Sequence, residues 1–400
     1  MEVVLARKDA SSRAAPTELL ETHRRLVVFA DDWGRHPSSA QHLVRHLLPH
    51  VHVDWINTIG TRTPQLNAQV IVRGLQKVGQ WTRRASAAAR DEPTTPSPSV
   101  LSPFMYPGFR TPWQRKLNAE LLASFMQKNL GDLKDAVIVS TIPIVADLPH
   151  KVHAGRWIYY CVDDFSAWPG LDAQPLQTME EQLVRRADDI IAAGPNLAAR
   201  IEAMGRSAQL LPHGVDLDHW NTPAQTADAL ANLPRPIAVF WGLIDRRLDV
   251  AALQRLSRAI APGTVVLVGP QQDADPALLN DPNIRFTGAQ PYASLPGFAQ
   301  AADVLIMPYA QLPVTQSMQP LKFKEYLATG RPVVATTLPA LGPWQDCADV
   351  VSAEEFATRV LERARDGIPP AQTLARYRLR SDSWAARARE FERILFDGEP

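Results

Sequence analysis

One unit recurs along this chain and limits what it can fold into. A short apolar run stops at a polar or glycine-bearing loop, and a helical pattern follows. Arg25–Ala30 (RLVVFA) leads into the loop Asp31–Ser39, a helical stretch Ala40–Leu48 and a second apolar run, Val51–Ile56. Strand, loop, helix and strand in that order make a βαβ unit of a parallel sheet. The unit returns at Pro236–Gly242, Leu243–Arg247 and Asp249–Ile260, followed by the runs Thr264–Gly269, Asn283–Gly288 and Val304–Pro308. A polar, proline-rich stretch, Asn221–Pro236, separates the two series as a linker would. Parallel α/β sheets bind ligands beyond the carboxyl ends of their strands, so the loops of both series are where chemistry is expected.

A chain of 400 residues suits two or three domains. Its 42 basic and 42 acidic residues cancel, which gives no global field for nucleic acid. The two cysteines, Cys161 and Cys347, lack metal-ligand spacing and fit a reducing cytoplasm better than a disulfide scaffold. The opening residues have no sustained apolar core and no stretch reaches transmembrane length, so a cytoplasmic protein is expected, with any membrane contact peripheral. No two glycines are separated by a single residue, so the dinucleotide fingerprint is absent, as is a Gly-Lys-Ser/Thr phosphate loop.

The most informative stretch is Pro313–Pro339. Leu321–Ala328 has apolar residues at helical spacing, Gly330 stops it, and Val333–Thr336 reads as a buried strand. Ser317 and Pro320 suggest the helix entrance, with a hydroxyl near the N-cap and proline in the first turn. Unpaired N–H groups at such an entrance, near Ser317 to Leu321, attract phosphate. Lys322 adds a full charge in the first turn, and Glu325, one turn on, suits the two hydroxyls of a ribose. Together they form a cradle for a nucleoside diphosphate.

A proline, lysine and glutamate on one helix followed by EYLATGRPVVAT resembles the donor-binding signature of GT-B fold glycosyltransferases, above all bacterial ones that build exopolysaccharides and cell-surface glycans. The commonest retaining members carry two glutamates separated by seven residues; Glu325 matches the second, and Ser317 stands at the first. His213-Gly214-Val215-Asp216 is similar to the segment that closes the first domain in that family. The resemblance implies an α/β, GT-B architecture: two doubly wound Rossmann-like domains facing across a cleft, with a C-terminal helix crossing back to the first. It implies a basic residue in the loop after Gly242, either Arg246 or Arg247, and a base-binding loop at Gln290–Tyr292. Gly242 and Gly269, each ending a strand, permit close backbone approach to a ligand.

In the first series, Trp157–Val162 ends in Asp163 and Asp164, a carboxylate pair at a strand's carboxyl end. Adjacent like charges raise one pKa and leave a group able to exchange a proton near neutrality. The register of Tyr160 to Ser166 is similar to that of inverting glucuronosyltransferases and points to Asp163 as base; whether transfer inverts or retains stays open. Trp33, His36 and Ser38 in the first loop, with Asp164, are the candidates for the acceptor side. His42, His46 and His50 recur every four residues, but with Pro49 breaking the helix they read as packed or solvated rather than metal-binding. Residues 69–90 carry five Arg or Lys and no acid, and Phe104–Phe109 adds aromatics, so 69–110 is a candidate for peripheral contact with the inner face of a membrane.

The expected division is an extension at 1–24, an acceptor domain at 25–212, a linker at 213–235, a donor domain at 236–370 and a crossover helix at 371–400. The expected activity is transfer of a sugar from a nucleotide diphosphate donor, a UDP-sugar or GDP-sugar, to a hydroxyl of a glycan or lipid-linked acceptor, with no cofactor and no metal. An epimerase of the same architecture, or a sugar-nucleotide-binding subunit without activity, are the alternatives.

Overall fold

The structure, a computed structural model, describes residues 24–34, 38–59, 96–168 and 170–397. His36, the basic segment 69–90 and most of the N-terminal extension lie outside them. Two parallel sheets form the two lobes. The first has the order β3-β2-β1-β4-β5-β6-β7, with β1 Arg25–Ala30, β2 His52–Asn57, β3 Ser99–Leu101, β4 Val137–Ser140, β5 Arg156–Cys161, β6 Asp189–Ala192 and β7 Gln209–Leu210. The second has the order β10-β9-β8-β11-β12-β13, with β8 Ile237–Trp241, β9 Thr264–Val268, β10 Ile284–Gly288, β11 Val304–Met307, β12 Val333–Thr336 and β13 Asp349–Val351. Helices cover both faces of such sheets, which is why the central strands are unbroken apolar runs: β4, β8, β9, β11 and β12 are buried at every residue. β3, three residues long, is too short to show in the sequence.

Strand order reverses between β1 and β4 and between β8 and β11, and at such points the loops leaving the carboxyl edge part to form a crevice. Asp249 caps the helix that follows β8, accepting a 2.8 Å hydrogen bond from the Ala252 N–H. That cap fixes where the loop between Gly242 and Asp249 must turn.

The chain crosses between lobes twice, and the crossings run side by side. Val215 N–H donates to the Asp382 carbonyl (2.9 Å) and Trp384 N–H to the Val215 carbonyl (3.2 Å). After the second crossing the helix Trp384–Phe396 lies on the first lobe, where Trp384, Phe391, Ile394 and Leu395 join its core. Burying each of these aliphatic and phenyl side chains stabilises that docking by roughly 1.5–3 kcal/mol. The histidine series packs here as well. His42 stacks on Trp384 (4.7 Å, 1° between planes) and His50 reaches Glu392 at 3.0 Å. Burial, and then Arg45, push the His42 pKa down to about 4, so the stacked ring is neutral. No helix among the described residues is long and apolar enough to cross a membrane.

Candidate active site

The helix Leu321–Ala328 starts at the carboxyl edge of the second sheet, with Pro320 as its N-cap and no side-chain cap on its first-turn N–H groups. Ser317 is not part of this entrance. It ends a separate short helix, Pro313–Ser317, and its hydroxyl donates back to the Pro313 and Val314 carbonyls (3.2 and 3.3 Å). The extended backbone of Met318 (φ −64°, ψ 137°) breaks the helix between them. The N-terminal end meets the first lobe: Leu321 packs against that lobe's core, and a Cβ on Gly194 would collide with the Gln319 side chain. Asn196 Nδ2 donates to the Gln316 carbonyl (3.0 Å) across the same gap.

Lys322 and Glu325 both turn back over the end of β8. The Lys322 ammonium donates to the Tyr309 hydroxyl (3.1 Å), lies over the Phe240 ring (5.4 Å) and rests against the Gly242 α-carbon. Gly242 has φ +146°, a conformation that favours glycine. Gly269 (φ +145°) is also needed for a close approach, but the neighbour is the Gly242 carbonyl oxygen, so its role is to seat one glycine corner on the other. Glu325, only 7% exposed, accepts long hydrogen bonds from the Trp241 indole (3.3 Å) and the Tyr292 hydroxyl (3.5 Å). Burial raises its pKa to about 7; the Trp241 N–H, the Lys322 charge and the Tyr292 hydroxyl work against that rise. Tyr292, expected on the base-binding loop, is thus beside Glu325, with His219 stacked on its other side (4.3 Å).

The two adjacent arginines part company. Arg246 is exposed, whereas Arg247 is 5% exposed and faces the other lobe. Its Nε and Nη2 donate to the Asp245 carboxylate (3.0 Å), and its guanidinium lies 4.5 Å from the Trp168 ring centre in the first lobe. Beside that ring is Asp163, at the carboxyl end of β5. Its pKa is raised to about 6, chiefly by burial, with the Trp168 indole N–H, the Asp164 N–H (2.9 Å) and the Arg247 charge opposing. The charge of Asp164 is the smallest contribution, so the carboxylate-pair argument names the right residue for a minor reason. Asp164 itself caps the turn Phe165–Ala167, accepting from the Ser166 N–H and hydroxyl (3.1 and 2.5 Å), and pairs with Arg200 at 3.5 Å. Its side chain thus holds the Asp163 loop.

The first-loop candidates are likewise engaged in the fold. Ser38 caps the helix Ser39–Leu47, and Trp33 packs edge-on against Trp55 (4.7 Å) beneath Arg45. This loop leaves β1, separated from β5 by β4, so it starts about 10 Å to one side of Asp163. Sequence reading misses Lys324, whose buried ammonium donates to the His213 carbonyl and pairs with Asp382 (both 2.6 Å). That one side chain ties the donor-side helix to both crossings. Its position, two residues past Lys322 on a short helix, is its only sequence signal.

Residues 236–366 match the family model of glycosyl transferases group 1. A protein named for a glycosyltransferase of teichuronic acid biosynthesis, TuaH of Bacillus subtilis (strain 168), is 29% identical over 180 residues, covering 42% of this chain and 45% of that one. The match therefore spans under half of the relative's length. Among solved structures, sucrose-phosphate synthase from Thermosynechococcus elongatus superposes with a TM-score of 0.66 at 17% identity, over 94% of this chain and 100% of that one. HepE from Anabaena, solved in complex with UDP and glucose, gives 0.62 at 13% identity, over 93% and 99%. At such identities the likeness is one of fold, and the fold is GT-B.

Proposed function

On a GT-B fold whose second lobe matches the group 1 glycosyltransferases, we propose that the protein transfers a sugar from a nucleotide diphosphate donor to a hydroxyl of a glycan or lipid-linked acceptor in surface polysaccharide assembly. One observation carries the reading. Lys322, Glu325 and Arg247 converge at the carboxyl edge of the second sheet, and Arg247 meets the lobe that bears Asp163.

The first-turn N–H groups at Leu321 and Lys322, with the Lys322 ammonium, hold the diphosphate. Glu325 accepts from the ribose hydroxyls once ionised. Lys322 and Arg247 stabilise the charge that develops as the nucleoside diphosphate departs, an electrostatic role that two fixed cations fill without requiring a metal. Asp163 takes the acceptor proton as the hydroxyl oxygen attacks the anomeric carbon. With its pKa raised to about 6, it is ionised at neutral pH yet basic enough to accept a proton in the transition state. In-line attack from the Asp163 side inverts the anomeric centre.

The complex of HepE with UDP and glucose makes UDP-sugars the first donors to try. Phe104 and Trp113, 69% and 56% exposed on the first lobe, the latter one helical turn from Lys116, suit contact with an anionic membrane surface bearing a lipid-linked acceptor. The test of the reading is a melting screen against UDP, GDP, ADP and dTDP, followed by an assay for sugar transfer from the matching donor. One nucleoside diphosphate should raise the melting temperature and its sugar should be consumed faster with acceptor present. Stabilisation by none of them would remove the donor site, and product that forms equally without acceptor would favour an epimerase.

A further inference from the structure

We propose that Trp168 is a positioning residue for the transfer: stacked on Arg247 of the opposite lobe, it holds the phosphate-side guanidinium and the Asp163 carboxylate in one arrangement. This rests on the transferase reading and adds a residue that the reading does not use. Trp168 follows the turn Phe165–Ala167, and its backbone N–H closes that turn on the Phe165 carbonyl (3.4 Å). Its ring lies 4.5 Å from the Arg247 guanidinium carbon, a cation–π contact between lobes. On its own lobe, among the described residues, Arg247 has only Asp245 as a charged partner within ion-pair distance, together with the Met318 sulfur at 3.7 Å and the Tyr309 ring centre at 5.9 Å. Without the indole face, Asp245 is left to draw the guanidinium back from the cleft.

The second observation is the indole N–H. It is buried and directed at the Asp163 carboxyl, whose pKa it lowers, though the contact falls short of full hydrogen-bond geometry. Stacking on Arg247 alone would be served by a phenyl ring, which has no N–H to offer the carboxylate. An indole at this place makes sense if its N–H completes its hydrogen bond to Asp163 when the lobes grip substrates. The charged groups around that carboxyl are Arg247 across the cleft and Asp164 on its own loop, with Arg200 and Glu180 paired behind Asp164. Trp168 acts through two of the groups that face substrate, Arg247 and Asp163. Its loss therefore falls on the transition state rather than on donor binding, which Lys322 and Glu325 retain.

The experiment compares wild type with Trp168→Leu and Trp168→Phe by kcat, by donor affinity and by the pH profile of kcat. Trp168→Leu should lower kcat about 100-fold, the scale of an ångström's misplacement, with donor affinity within about threefold of wild type. Trp168→Phe, which keeps an aromatic face, should lose less. It should also move the acidic limb to higher pH, because the N–H that favours ionised Asp163 is gone. Wild-type kcat and pH profile in both variants would overturn the proposal, as would a loss carried entirely by donor affinity. A wild-type enzyme that transfers no sugar from any donor would instead overturn the transferase reading, and the role of Trp168 with it.

Discussion

The Lys322 ammonium rests against the α-carbon of Gly242, where any side chain would collide with it. The helix that carries one and the strand end that carries the other are separated by most of the second lobe's sequence, and the fold joins them at the point where strand order reverses. Gly242→Ala should therefore displace the cation and also strain a backbone held at φ +146°. The expected result is a loss of at least about tenfold in nucleoside diphosphate affinity, read by calorimetry. A fall in stability of about 1–3 kcal/mol, read by urea unfolding, should accompany it.

Glu325 sets function against stability. Its pKa is raised to about 7 in the fold against an ordinary value of 4.5, so the folded state holds its proton more tightly than the unfolded chain. Stability from this group is complete below pH 4.5 and is lost as pH rises through about 7. Glu325→Gln, which stays neutral, should be more stable than wild type at pH 8 by on the order of 2–3 kcal/mol, and equally stable near pH 4.5. The same variant should bind nucleotide more weakly, since an amide offers one acceptor oxygen and no charge. Melting curves and titrations at both pH values check the two halves together.

Asp163 has to be ionised to accept a proton. With its pKa at about 6, kcat should rise with pH up to about 6 and level off above. Asp163→Asn should lower kcat by about 10³-fold or more while leaving donor affinity near wild type. Near-normal turnover in that variant would move the base elsewhere.

Lys324 predicts a mechanical effect without a direct role in chemistry. Lys324→Met removes the ammonium that bridges the His213 carbonyl and Asp382, while Arg387 still partners Asp382. A cost of about 2 kcal/mol is expected, below the usual penalty for breaking a buried pair because one partner remains. Urea unfolding with and without nucleotide measures it.

The alternation of strands and helices was legible because strands covered on both faces must be apolar throughout, as β8 and β9 are. Lys322 and Glu325 were legible because helical phase puts residues three apart on one side. Arg246 and Arg247 could not be told apart, since a loop has no period, and one faces water while the other is buried between lobes. Ser317 looked like a cap because nothing in the sequence marks the break at Met318. The contacts of Trp168 with Arg247 and of Trp241 with Glu325 join residues 79 and 84 positions apart, so only the fold reveals them.

The most direct measurement is calorimetric titration of nucleoside diphosphates into wild type, Lys322→Ala and Glu325→Ala. Wild type should bind one of them in a saturable, one-to-one manner, and each variant should lose at least about tenfold in affinity while melting as a folded protein. Binding that is the same in all three, or absent for every nucleotide tried, would contradict a donor site on this helix.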